Sequence, residues 1–317
     1  MAADSTAVRK AFRRLIPLLM LFYILAYVDR VNIGFAALTM NPDLGLTATM
    51  FGVASSCFFV TYVAFEVPSN ILMARIGARI WIPRILISWG LVSALTMFVT
   101  NAYQLYGLRA LLGLAEAGLF PGVLYYLSTW FPDEARARAN GLFMAALPLA
   151  LLVGAPISGF ALQMDGWLGL KGWQWLFLVE GVPSIVTGII ALFVLPNRPS
   201  DVRWLSDAEK HALQERLAIE SDTAGANPKP ASVWREVLSP GLLAFGMVHF
   251  CTLTSMSVLG TWTPLIIKEL LGTGHISLVA FLAALPPLTG ILAIVANGAH
   301  SDRTNERVWH TCGALAA

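Results

Sequence analysis

Eight stretches of the chain, near 15–38, 50–74, 81–100, 103–130, 139–162, 174–196, 240–268 and 276–299, run on with very few charges. A helix needs about 20 residues to cross roughly 30 Å of hydrocarbon, and each stretch is long enough. Hydrocarbon offers no partners to backbone N–H and C=O groups, so segments of this kind cross it as helices packed side by side. Composition agrees, with hydrophobic residues at 57% and charged ones at 13% of 317. The expectation is an all-α, polytopic membrane protein. A ninth stretch begins near Val308 and is cut at Ala317.

The basic residues set the orientation. All but four of the 21 Lys and Arg lie at Arg9 to Arg14, Arg75/Arg79/Arg84, Arg136/Arg138, the 197–239 connection and Arg303/Arg307, which are alternate connections. Basic loops stay cytoplasmic, so the N-terminus is expected inside. The basic N-terminus followed by an apolar run resembles a secretory signal, but the run is too long and has no small-residue cleavage site. Cys57, Cys251 and Cys312 are scattered, with no spacing for a metal site or a disulfide frame.

Segment 197–239 is the one long polar connection. Within it Ser206-Asp-Ala-Glu209 has the pattern of a capping box, and Leu213 and Leu217 share a face, which predicts a short amphipathic bracing helix at the membrane surface. The chain is expected to divide into a six-helix bundle at 1–197, the connection at 198–239, and an incomplete second bundle at 240–317.

Four ionisable residues fall inside apolar helices: Asp29, Arg30, Arg109 and Glu116. On insertion scales each costs roughly 2.5–3.5 kcal/mol at mid-membrane, so they are expected to face one another or a wet cavity. Tyr23, Tyr27, Arg30 and Gly34 form one stripe of the first helix, and a guanidinium flanked by phenols suits a carboxylate. Arg109 and Glu116 share a face of the fourth helix, with Gly113 between them leaving room for a close neighbour. Asp29 and Arg30 differ by about 100° around their helix, so they cannot aim at one spot. The expected arrangement turns Arg30 to a central cavity, where ionised Glu116 holds it, and Asp29 toward the fourth helix and Arg109.

The two sides of the polar connection repeat one layout. NILMARIGAR follows the second span and GAHSDRTNER the eighth, both short basic turns, as in carriers built from two repeated halves. These turns resemble the Gly-x-x-x-Asp-Arg-x-Gly-Arg motif of the major facilitator superfamily. Gly298, Asp302, Arg303 and Arg307 approximate it in the second copy. The first keeps Arg75, Gly77 and Arg79 but has Asn70 and Ala74 where Gly and Asp would stand, so Glu66 or another acid is expected to replace the Asp. YVDRVNIGFAAL (27–38), FEVPSNILMARIGARIW (65–81), RALLGLAEAGLFPG (109–122) and RPSDVRWLSDAEK (198–210) are similar to the anion:cation symporter family, in particular its bacterial tartrate and phthalate transporter-like members.

The resemblance implies a major facilitator-type helix bundle and proton-coupled symport of a small organic anion by alternating access. Asp29 and Glu116 would couple protons, Arg30, Tyr27 and Tyr62 would meet the substrate, and Arg109 would pair charge near it. Arg75, Gly77, Arg79, Gly298, Asp302 and Arg303 would form the gating loops. The implied partners are the anion, protons and the bilayer of a bacterial inner membrane, with no nucleic acid and no cofactor, and a monomer is expected. The other readings are a truncated, transport-incompetent fragment, a sodium-coupled or exchange carrier, and a channel. An enzyme is disfavoured, since no His-Glu-x-x-His, Gly-x-Ser-x-Gly or phosphate loop occurs. In the seventh span Thr254, Ser255, Ser257, Thr261 and the break at Trp262-Thr263-Pro264 are candidates for a hydroxylated anion, whereas His249 is read as a packing residue. Pro148, Gly154, Pro156 and Gly159 are read as bending and packing residues of the fifth span.

Overall fold

The computed structural model describes residues 2–223, 239–272 and 275–304, and among these the regular structure is helical. The helices are α1 (Ala2–Leu44), α2 (Ala48–Ile76), α3 (Ala78–Leu95), α4 (Ala102–Glu116), α5 (Leu119–Ser128), α6 (Asp133–Met144), α7 (Ala146–Gln163), α8 (Gly172–Val194), α9 (Asp207–Thr223), α10 (Pro240–Leu271) and α11 (Ile276–Thr304). Seven segments are long and apolar enough to cross a membrane, with α4–α5 and α6–α7 each making one. α11 supplies an eighth apolar helix, from Ile276 to Gly290. The expected ninth span lies outside the described residues, as do Arg307 and the side chains of Gly298, Asp302, Arg303 and His249.

Two expected spans are interrupted. The fourth is not one helix over 103–130: α4 stops at Glu116, and α5 starts after Gly118, whose φ of 89° is left-handed. Glycine enters that region without steric cost, and a Cβ there would lie 2.5 Å from Ser69 Oγ. Glu116 is thereby the last residue of a helix, where unpaired carbonyls and the helix dipole attract a cation. The fifth span bends at Ala145, three residues before Pro148. Gly159, further along, permits contact with α11, since a Cβ there would meet Ala280 Cβ at 2.6 Å.

Connections alternate between two sides, as the basic residues require. Thr47 caps α2 by accepting from Met50 N at 3.2 Å, and Asn101 caps α4 by accepting from Gln104 N at 3.0 Å, both on the side away from the N-terminus. On the N-terminal side, Ser206 N donates to Glu209 Oε2 at 2.8 Å and Glu209 N to Ser206 Oγ at 3.3 Å, the reciprocal bonds of a capping box. The helix that follows, α9, is a brace. Leu213 is fully buried, Lys10 Nζ lies 2.8 Å from Glu209, and Arg216 lies 2.7 Å from Glu134. The hydrogen bonds from Lys10 hold the Glu209 carboxyl below its usual range.

Inside the first six spans α8 packs along α3, α4 along α2, and α1 touches α7 and α8. α10 and α11 join this bundle through α1 and α7. Those contacts lie toward the ends of α1 and α7 remote from the N-terminus: Gly34 abuts the Thr261 backbone, and Lys268 Nζ donates to Leu38 O at 2.8 Å. At the other end of α10, Leu242, Leu243, Met247 and Phe250 are exposed.

Candidate substrate and coupling site

Arg30 leaves the middle of α1 and its Nη2 donates to Glu116 Oε1, a salt bridge between the first and fourth spans. The Glu116 side chain is 1% exposed and that of Arg30 18%, so little water screens the pair. An aromatic cage surrounds the guanidinium, with ring centroids 4.9 Å away at Tyr62, 5.5 Å at Tyr27 and 5.7 Å at Phe58. Such faces stabilise a desolvated cation without neutralising it, by about 2 kcal/mol or more in the best cases. Tyr23 stacks lower on the same stripe, 6.0 Å from Tyr27 and 5.0 Å from Phe143.

Arg109, 2% exposed, also lies against Phe58, its guanidinium carbon 4.8 Å from that ring. Its Nε and Nη1 are buried without hydrogen-bond partners, as is Arg30 Nε. Unused donors on two guanidiniums are what a carboxylate ligand would consume, because the planar fork donates to two oxygens in parallel. Gly113 makes the approach possible. A Cβ there would collide with Phe58 O and Thr61 Oγ1, while Thr61 Oγ1 donates to Ala110 O at 2.7 Å, so α2 and α4 run in contact.

Asp29 departs from the expected arrangement. It turns to α3, where Ser93 Oγ donates to its Oδ1, and Asn32 Nδ2 donates to the same oxygen at 3.2 Å. No ion pair joins it to Arg109, although Arg109 and Glu116 both bear on it electrostatically. The step of about 100° between residues 29 and 30 sends Asp29 to Ser93 of α3 and Arg30 to Glu116 of α4.

Sequence reasoning missed two residues. Phe58, inside an ordinary apolar run, lies within 6 Å of both guanidiniums. Glu180 on α8 is 4% exposed, accepts from Ser158 Oγ at 2.9 Å, and lies near Asp29. Its signal was present: a lone acid inside LFLVEGVPS costs as much in lipid as Glu116 does.

At the α2–α3 turn Gly77 has a φ of 97°, and a Cβ on it would lie 2.8 Å from Asn197 Oδ1. Arg79 N donates to that oxygen at 2.9 Å. No carboxylate among the described residues pairs with Arg75 or Arg79. The expectation that Glu66 replaces the missing Asp is therefore corrected. Glu66 faces Tyr62 and Arg30, about 13 Å along the helix from Arg75 at 1.5 Å per residue, and the Asn197 amide ties the turn instead. In the seventh span Thr261 is buried against Gly34, while Thr254 and Ser255 are exposed and Ser255 Oγ is spent on Cys251 O at 2.9 Å.

A buried ion pair in an aromatic cage, within a bundle of broken apolar helices, is the layout of a membrane carrier. Residues 19–317 match the family described as Major Facilitator Superfamily. The chain is 46% identical over 311 residues, 98% of its own length and 71% of the relative's, to the "Putative tartrate transporter" of Agrobacterium vitis. It is 45% identical over 301 residues, 94% of this chain and 68% of the relative, to the "Putative metabolite transport protein NicT" of Pseudomonas putida. A crystal structure of a bacterial homolog to the human lysosomal transporter Spinster, inward-facing and unoccupied, shares the fold with a TM-score of 0.70 at 17% identity. That match covers 92% of this chain, which spans 63% of the Spinster homolog's length. The chain belongs to the major facilitator superfamily, whose members are transporters and not enzymes.

Proposed function

We propose that the protein takes up a small organic anion, a tartrate- or phthalate-like carboxylate or a sugar acid, together with protons across a bacterial inner membrane, with its N-terminus in the cytoplasm. The observation that carries this reading is the Arg30–Glu116 pair in its cage. Arg30 always needs one anion beside it, because a buried guanidinium left alone is among the most costly states a protein can hold. Ionised Glu116 supplies that anion in the empty carrier. When a proton reaches Glu116 its charge is lost, and the substrate carboxylate takes its place on Arg30. The buried charge is the same before and after, and one proton enters with one anionic group.

Arg109, Tyr27 and Tyr62 complete the binding surface in this reading, and Asp29 joins Glu116 in coupling. The Arg75-Gly77-Arg79 turn acts with Gly298, Asp302 and Arg303 as gating loops. Residues 1–197 and 240–317 rock against each other as two bundles of a monomer, joined by 198–239 and braced by α9. The relatives named for tartrate and metabolite transport support the substrate class.

The test is uptake of a panel of labelled organic acids into proteoliposomes under an imposed pH gradient. Glu116→Gln should abolish gradient-driven accumulation and leave anion exchange in place. Unchanged accumulation in that variant would end this reading.

A further inference from the structure

The bundle holds two guanidiniums, buried Arg109 and part-buried Arg30, and three buried carboxyls, Asp29, Glu116 and Glu180. With all five ionised, the network holds one negative charge too many. Among the described residues no Lys, Arg or His forms an ion pair with Asp29 or Glu180. A buried, uncompensated carboxylate takes up a proton in preference to staying charged.

The hydrogen bonds select which carboxyl takes it. Glu116 is held by Arg30. Asp29 receives two donors, from Ser93 and Asn32, and the Arg109 charge bears on it. Glu180 receives one donor, Ser158 Oγ on Oε1, and its Oε2 is buried without a partner. Asn32, 1% exposed, stands close to the Glu180 carboxyl, but its Nδ2 is used on Asp29 Oδ1 at 3.2 Å. A buried carboxylate with one donor and no counter-ion is relieved by a proton of its own.

We propose that Glu180 is a second proton-binding site of this carrier, apart from Glu116, holding a hydrogen on Oε2 while Asp29 and Glu116 stay ionised. The inference rests on the carrier reading above for its purpose and not for its chemistry. Asp29 on α1 is the titratable group bearing on Glu180 from the helices packed against it, and Asp29 in turn feels Glu116 and Arg109. Because Asn32 and Asp29 stand on α1 beside Arg30, any shift of α1 that exchanges the partner of Arg30 also changes the surroundings of the Glu180 carboxyl. Water reaching Glu180 would then take the proton, leaving a carboxylate behind.

The experiment is infrared difference spectroscopy of the purified 317-residue chain in lipid nanodiscs at neutral pH, read in the carbonyl stretch of protonated carboxyl groups. The expected result is a band that Glu180→Gln removes, that Ser158→Ala shifts in frequency, and that Glu116→Gln leaves in place. Glutamine keeps the shape and neutrality of the protonated acid, and the Ser158→Ala shift reads the same group with Glu180 intact. A band untouched by both Glu180→Gln and Ser158→Ala, or one that Glu116→Gln removes, overturns the proposal. The band is read without anion or gradient, so a failure of uptake would count against the carrier reading and leave this result standing.

Discussion

The Arg109 guanidinium lies 4.8 Å from the Phe58 ring, and the Arg30 guanidinium lies 5.7 Å from the same ring. One aromatic side chain thus bears on two cations at once. Two guanidiniums in one apolar site repel with little screening, and contact with the negative π-system offsets part of that cost.

Phe58→Ala should destabilise the bundle by about 3–5 kcal/mol, the usual range for emptying a buried aromatic site. Phe58→Leu refills most of the volume without the π-face. It should recover much of the thermal stability in a detergent melt but not the affinity for an organic anion. Equal affinity in the wild type and Phe58→Leu would show the ring to be packing alone.

Gly113→Ala and Gly107→Ala form a matched pair on one helix. A Cβ at Gly113 collides with Phe58 O and Thr61 Oγ1, whereas one at Gly107 meets nothing within 4 Å. Thermal melts should show Gly113→Ala clearly destabilised, and Gly107→Ala neutral or stabilised by up to about 1 kcal/mol. A melt in which both variants shift alike would contradict the close approach of α2 and α4.

Gly77→Ala should lower the melting temperature for two separate reasons, a φ of 97° and the 2.8 Å approach of Asn197 Oδ1. Asn197→Ala removes the second reason alone. If the contact matters, Gly77→Ala should cost less in an Asn197→Ala background than in the wild type. A full double-mutant cycle checks this, and strict additivity would refute the coupling.

The α9 brace should weaken in acid. Lys10 holds Glu209 below the ordinary carboxylate range, so the stabilisation is fully present above that range and is lost as pH falls through the lowered folded value. Lys10→Gln should lower the neutral-pH stability slightly and leave the acid value unchanged, so flattening the acid limb, with a small effect because the Lys10 side chain is 42% exposed. An unchanged acid limb would remove the brace from the account.

The eight apolar segments and the alternation of their connections were legible in the sequence because both follow from local composition. The break at Gly118 was less so. Glu116-Ala-Gly-Leu-Phe-Pro121 reads as a continuous apolar helix until one sees that Ser69 of α2 stands where a Cβ would go. The direction of Asp29 away from Arg30 follows from helical geometry, but which neighbour waits there does not, and Ser93 rather than Arg109 receives it. Glu180 shows the same limit. Its cost in lipid is plain from its surroundings, while its partners Ser158 and Asn32 come from two other helices.

Anion affinity as a function of pH, in the wild type and in Glu116→Gln, tests the exchange of partners on Arg30 most directly. The account predicts wild-type affinity that strengthens as pH falls, because protonating Glu116 releases Arg30, and Glu116→Gln affinity that is tight and nearly independent of pH over the same range. A Glu116→Gln variant that keeps the wild-type pH dependence would contradict it.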